Sequence, residues 1–194
     1  EVRMLAWLAD EQDLLQQFRN GDDIYSNLGS VIYGYPINKN DHPLERFVGK
    51  TAVLGLGYGM GAKKFQSTLE TGAMGPPMKF SDTEAINVVS TYPGIQDLWT
   101  KLELKLINTI NCNYHEAWRC LSFNNKKIGL PNGLALHYND LKYKGGQLTY
   151  TSRNEEQTWG GRITENVVQA LSRLIVTDAM LRIQSDKDLD ADVV

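Results

Sequence analysis

Apolar residues recur at helical spacing through the first hundred positions, and the period then changes. Val2, Leu5, Leu8 and Ala9 predict a short first helix, and Asp10 is placed to cap a second. In that second helix Leu14, Leu15 and Phe18 face inward, and Gly21 ends it. A third helix runs from about Asp23 to Tyr33 on Ile24, Leu28, Val31 and Ile32. Gly34, Pro36, Asn38 and Asn40 then form a loop. The next helix opens at Asp41-His42-Pro43, where the missing proline amide is harmless in a first turn. Gly72 to Pro77 is a break, and Ser81 with Glu84 makes a capping box that opens a long helical region. Pro93 divides that region, and Ile95, Leu98, Trp99, Leu102 and Leu106 form the core stripe of its second half. From about Lys126 to Ser152 the alternation is that of strands. Pro131-Asn132-Gly133 turns one hairpin, and Gly145-Gly146 turns into a strand at Leu148 to Thr151. A last helix runs from about Arg162 to Gln184, with Val167, Leu171, Leu174 and Ile175 toward a core. Arg162, Asn166, Gln169 and Arg173 lie on its polar side. With no repeat or low-complexity tract, the pattern defines a mostly helical α+β chain.

At 194 residues the chain can bury one sizeable core or two small ones. Its 42% hydrophobic and 22% charged residues are those of an ordinary soluble protein, and no run approaches a membrane span. The sequence begins with Glu1, not Met, which suggests a fragment. A net charge of −3 argues against a general nucleic-acid binder, but the charge is unevenly spread. From Arg46 to Lys64 there are Arg46, Lys50, Lys63 and Lys64 and no acid, whereas Asp186, Asp188, Asp190 and Asp192 crowd the end against Lys187 alone. Cys112 and Cys120 fit a reducing compartment. With His115 between them they match no common zinc spacing, and they read as buried free thiols.

The chemistry-bearing stretch is Glu45 to Gly61, in which Arg46, Lys50, Leu54 and Tyr58 recur every four residues. Each such step turns a helix by about 400°, so the four share one slowly turning face ~18 Å long. That face reads cation, cation, apolar, aromatic, suited to a phosphorylated base with its anionic end at Arg46 and Lys50 and its ring near Tyr58. Two common phosphate motifs fail. Gly49-Lys50-Thr51 resembles the end of a P-loop, but Leu44 stands where the first glycine belongs. Gly55, Gly57, Gly59 and Gly61 resemble a dinucleotide loop, but Met60 stands where its last glycine belongs and no strand precedes it. Glycines at 49, 55 and 57 each cost a helix interior roughly 1 kcal/mol relative to alanine. Close approach of a ligand or another helix would offset that cost; otherwise the helix frays near Gly55.

Arg46, Lys50, Leu54, Tyr58 and Gly59 resemble the nucleotide-binding helix of the family A DNA polymerases, which reads Arg-x3-Lys-x3-(Phe or Tyr)-x3-Tyr-Gly. Glu1 to Leu8 resembles the segment after that family's first catalytic aspartate, and Asp22-Asp23-Ile24-Tyr25 its Asp-Ile-His turn. Glu165 to Ala170 supplies a matching glutamine, Gln169. The likeness spans nearly the whole chain and is nearest to phage members. It implies fingers plus part of the palm: 1–22 a palm segment, 23–125 mainly fingers with the nucleotide-binding helix at about 42–58, and 126–194 a hairpin and helix leading back to the palm.

The same resemblance implies that Arg46 and Lys50 hold the triphosphate of an incoming deoxynucleotide, with Tyr25 in place of a phosphate-contacting His. A tyrosine hydroxyl can donate there but carries no positive charge. Tyr58 would lie beside the nascent base pair, Glu1 would block a sugar 2′-hydroxyl, and Gly59 and Gln169 would contact primer-template DNA. Gln169 would reach the minor groove, where acceptors are present at every base pair. Leu54 departs from the pattern, offering bulk without stacking. Family members use two Mg²⁺ ions held by two aspartates. One would precede Glu1, and the second has no match here, since Asp188, Asp190 and Asp192 lack the expected preceding His. The catalytic carboxylates are therefore expected outside these residues, leaving this segment alone inactive. A phage-encoded polymerase would act in the host cytoplasm. Two other classes compete: a nucleic-acid-binding module without chemistry, using Arg46, Lys50, Lys63 and Lys64, and an NTPase already weakened by Leu44.

Overall fold

The computed structural model describes residues 1–57, 59–73 and 75–186. Its described residues form eight helices and two small antiparallel sheets, the α+β class that the hydrophobic pattern predicts. By internal contacts the chain divides into two compact units. One comprises Val2–Glu103 with Trp159–Glu165, the other Glu1, Leu104–Thr158 and Asn166–Val194.

The helical unit begins with α1 (Val2–Ala9), α2 (Gln12–Asn20) and α3 (Ile24–Tyr33). Gly21 and Gly34 end α2 and α3 in the left-handed conformation that a glycine takes without strain. Asp10 does not cap α2. It takes φ 61° in the preceding turn, and Glu11 stands at the N-cap without a side-chain bond to that helix. The Glu11 carboxylate instead accepts from Gly94 N at 2.8 Å, serving the start of α7 (Pro93–Asn108). Burial pushes the Glu11 carboxyl above its ordinary range, against the opposing effect of the Gly94 and Ile95 amides. Val31, expected inside α3, is exposed, while Ile24 and Leu28 are buried.

The helix α4 (Pro43–Gly57) follows, then α5 (Ala62–Glu70) and α6 (Asp82–Val89). Fraying near Gly55 is not observed, since α4 continues to Gly57. The Ser81–Glu84 capping box closes both ways, with Ser81 N donating to Glu84 Oε2 at 2.8 Å and Glu84 N to Ser81 Oγ at 3.2 Å. Leu5, Leu14, Leu28, Val48, Leu56, Phe65, Leu69, Ile95, Leu98 and Leu102 are buried in this unit. Trp99 is half-buried, with its indole Nε1 enclosed.

The sheets start earlier than the alternation suggests. β1 (His115–Trp118) and β2 (Leu121–Asn124) form a hairpin through Arg119 at φ 52°, ahead of β3 (Lys127–Gly129) and β4 (Ala135–His137). The order is β1-β2-β3-β4. A second sheet has the order β5-β6-β7, from β5 (Asn139–Lys144), β6 (Gln147–Thr151) and β7 (Glu155–Thr158). The expected Gly145-Gly146 turn joins β5 to β6, pairing Lys144 with Gln147. The first hairpin leaves little apolar signal, since β1 alternates exposed with half-buried residues and only Leu121 and Phe123 of β2 are fully buried.

The last helix, α8 (Gly160–Ser185), buries Ile163, Val167, Val168 and Leu171. Ile175 is exposed, contrary to the periodic reading, and Leu174 is half-buried. Cys112 is exposed and Cys120 half-buried, so neither is the buried thiol expected. Burial raises the Cys120 thiol above its usual range, leaving it protonated and poorly nucleophilic at neutral pH. No helix among the described residues is long and apolar enough to cross a membrane.

Candidate functional site: a cationic line on helix α4

From Val48 to Leu56 every residue of α4 is buried except Lys50 and Leu54. The helix is enclosed on all sides but one, and the open line continues the four-residue step back to Arg46. Lys50 is exposed, Arg46 and Leu54 are half-buried, and Tyr58 lies outside the described residues. Lys50 forms no hydrogen bond or ion pair with a described residue. Its ammonium is exposed on a helix that is otherwise buried along this stretch.

Glycines explain how α4 is enclosed. A Cβ on Gly49 would lie 2.2 Å from Tyr25 O and 2.8 Å from Gly29 N. Across the contact, a Cβ on Gly29 would lie 3.1 Å from Glu45 O. α3 and α4 therefore meet backbone to backbone, and another helix offsets the propensity cost of Gly49. At Gly55 the neighbour is the side chain of Met60, whose Sδ would lie 2.8 Å from an added Cβ. Gly49-Lys50-Thr51 sits in mid-helix with Thr51 Oγ1 donating to Phe47 O at 3.0 Å, which is no phosphate loop.

This close approach brings the start of α3 beside Arg46. Arg46 Nε donates to Asp23 Oδ2 at 2.6 Å and Nη2 to Asp23 Oδ1 at 3.2 Å. The same carboxylate caps α3, accepting from Tyr25 N at 3.2 Å, Ser26 N at 3.4 Å and Ser26 Oγ at 2.9 Å. The half-buried Tyr25 ring lies under the guanidinium, 5.2 Å from centroid to Cζ. Burial pulls the Asp23 carboxyl upward, but the bonds from Arg46 and Ser26 outweigh it and hold the group below the usual carboxylate range. A lowered folded-state value stabilises above the unfolded pKa and is lost as pH falls through the folded one. Asp23→Ala should therefore destabilise the protein at pH 7, with the difference narrowing on acidification below about pH 4, as urea titrations at both pH values would show. An equal difference at the two would remove the ion pair as the cause.

Gly59 lies just past α4 at φ 67°, and a Cβ there would be 2.5 Å from Gly161 Cα. Its glycine is thus required by backbone contact as well as by conformation. The amide of Gly160 donates to Glu103 Oε2 at 2.7 Å, so a carboxylate from α7 satisfies the start of α8. Arg46, Lys50, Leu54, Tyr25 and Gly59 all belong to the helical unit. Glu1 and Gln169 belong to the other, where both are exposed, and Asn166 on the same face as Gln169 donates to Tyr138 Oη at 3.3 Å. Asp188, Asp190 and Asp192 lie outside the described residues. Among the described residues no three of His, Cys, Asp and Glu converge to hold a metal ion.

Asp23 stands in the turn that resembles the family's Asp-Ile-His, without an expected role of its own. Its signal was local, an aspartate directly before an apolar helical run, but its link to Arg46 spans 23 positions.

Helix α4 is thus enclosed except along one line that carries Arg46, Lys50 and Leu54, beside the capped start of α3. The model of DNA polymerase family A matches residues 1–114, more than half of the chain, and the chain belongs to that family. The match runs from α1 to the end of α7 and stops before β1. DNA polymerase I of Helicobacter pylori (strain ATCC 700392 / 26695) is 28% identical over 113 residues, covering 56% of this chain and 11% of that protein. The DNA polymerase of Bacillus phage SP02 is 27% identical across 95% of this chain and 31% of its own length, so its likeness extends into the sheets and α8. Thermostable DNA polymerase I of Thermus thermophilus is 36% identical over 69 residues, 36% of this chain and 8% of that protein. The chain thus spans between about a tenth and a third of the curated relatives it matches.

Proposed function

We propose that this segment supplies the nucleotide-binding fingers and part of the palm of a phage-type DNA-directed DNA polymerase. The observation that carries the reading is the open line of α4: Lys50 and Leu54 are its only unburied residues between Val48 and Leu56, and they lie within the family match. Arg46 and Lys50 bind the triphosphate of the incoming deoxynucleotide, and Tyr25 lends a hydroxyl beside them. Phosphoryl transfer depends on positioning and charge stabilisation, and fixed cations on a rigid helix provide both. Leu54 and Tyr58 flank the base, Glu1 excludes the ribose 2′-hydroxyl, and Gly59 and Gln169 follow the primer-template duplex. Mg²⁺ held elsewhere in the whole protein would supply Lewis-acid stabilisation of the phosphates. This segment's own residues bind and orient the nucleotide.

Primer extension by the intact protein tests the reading. Template-directed addition of deoxynucleotides is expected, and Glu1→Ala should raise ribonucleotide incorporation relative to deoxyribonucleotide. A protein that retains primed DNA but neither binds nor incorporates nucleotide would be the non-catalytic binding module instead. An unaltered sugar ratio would assign the gate to another residue.

A further inference from the structure

Arg46 can present a guanidinium to a phosphate by either of two edges, and the structure shows one of them already taken. Asp23 holds the side-on edge through Nε and Nη2, at 2.6 and 3.2 Å. The end-on fork of Nη1 and the second Nη2 hydrogen makes no hydrogen bond to a described residue. The Tyr25 ring lies 5.2 Å from the guanidinium carbon, and the Arg46 side chain keeps 23% of its surface exposed. Asp23 is itself immobilised, because its two oxygens also receive the first amides of α3 and the Ser26 hydroxyl. A flexible cation is thus fastened to a helix start through a carboxylate that also bonds that helix.

We propose that Asp23 is a positioning residue for the incoming nucleotide: it clamps the side-on edge of Arg46 so that the end-on fork faces the triphosphate on the line of Lys50. The inference rests on the polymerase reading of α4 and adds a residue to it. The clamp removes part of Arg46's charge by pairing, yet it spares the ligand the cost of ordering a long side chain. An unclamped arginine keeps full charge but must lose rotamer freedom on each binding event.

Asp23→Ser separates the clamp from the cap, since serine caps a helix as well as aspartate but does not reach Arg46 as a bidentate acceptor. In the intact polymerase, with single-nucleotide incorporation as the assay, D23S should raise the nucleotide KM about tenfold and change kcat less. Asp23→Asn, which keeps one acceptor for the guanidinium, should recover part of the loss. The same D23S change in an Arg46→Ala background should have no further effect on KM, because its target is gone. Equal KM factors in both backgrounds would make Asp23 a helix cap only and overturn the proposal. A lowered KM for D23S would also overturn it, showing a competitor for Arg46 instead of a positioner. If Arg46→Ala alone left nucleotide KM unchanged, the phosphate reading of α4 would fall first, and the clamp would have no ligand to position.

Discussion

Lys50→Ala in the intact polymerase is expected to lower kcat/KM for the incoming deoxynucleotide by about 10- to 100-fold, corresponding to the roughly 1.5–3 kcal/mol of one charge-assisted hydrogen bond. The size of the effect follows from what Lys50 lacks. It has no partner among the described residues and is exposed on a helix otherwise enclosed, so its charge is available to a ligand. Stability should change little, because alanine favours a helix and Lys50 is exposed. A loss of activity would then report binding and chemistry directly, without a folding defect to subtract. Both KM and kcat should move if the ammonium follows the phosphates into the transition state, whereas a rise in KM alone would mean equal grip on ground and transition states. Unchanged kinetics with single-nucleotide incorporation would remove Lys50 from the site.

Most elements of the helical unit were legible because each is written locally, but α5 (Ala62–Glu70) was not anticipated. Gly21 and Gly34 stop α2 and α3, and Ser81 with Glu84 starts α6, all within four residues of the turn they control. The open line of α4 was legible for the same reason, since a four-residue repeat is a local property. Long-range polar contacts were not. Glu11 serves an amide 83 positions away and Glu103 one 57 positions away, and neither spacing leaves a mark in the sequence. Asp10 looked like the better cap on residue type alone, yet its backbone takes the turn at φ 61° and its neighbour occupies the N-cap. In α8 the apolar stripe continues to Ile175, Val176, Leu181 and Ile183, all exposed, so periodicity overran the core that the chain provides. The reason for Gly49 was half legible: the propensity cost called for a close neighbour but could not say whether ligand or helix. The neighbour is α3.

That contact sets the largest structural effect expected from a single methyl group. Gly49→Ala would place a Cβ 2.2 Å from Tyr25 O and 2.8 Å from Gly29 N, both backbone atoms that no rotamer change can move aside. α3 and α4 would have to separate, carrying Tyr25 and the Asp23–Arg46 pair with them. Alanine regains about 1 kcal/mol of helix propensity, but forced overpacking costs typically ~1–3 kcal/mol and more where the neighbour is rigid. The net expectation is a loss of about 2 kcal/mol or more, since this neighbour is main chain on a second helix. Gly57→Ala on the same helix is the matched control. Its added Cβ meets only Leu5 Cδ2 at 3.4 Å, an ordinary contact, so the change should be neutral or stabilising by ~0.4–1 kcal/mol. Urea denaturation followed by far-ultraviolet circular dichroism should therefore move the two midpoints in opposite directions, or leave G57A where it was. A G49A protein as stable as the parent would mean that α3 and α4 do not meet backbone to backbone, and that the buttress behind Arg46 is looser than the glycine contact implies.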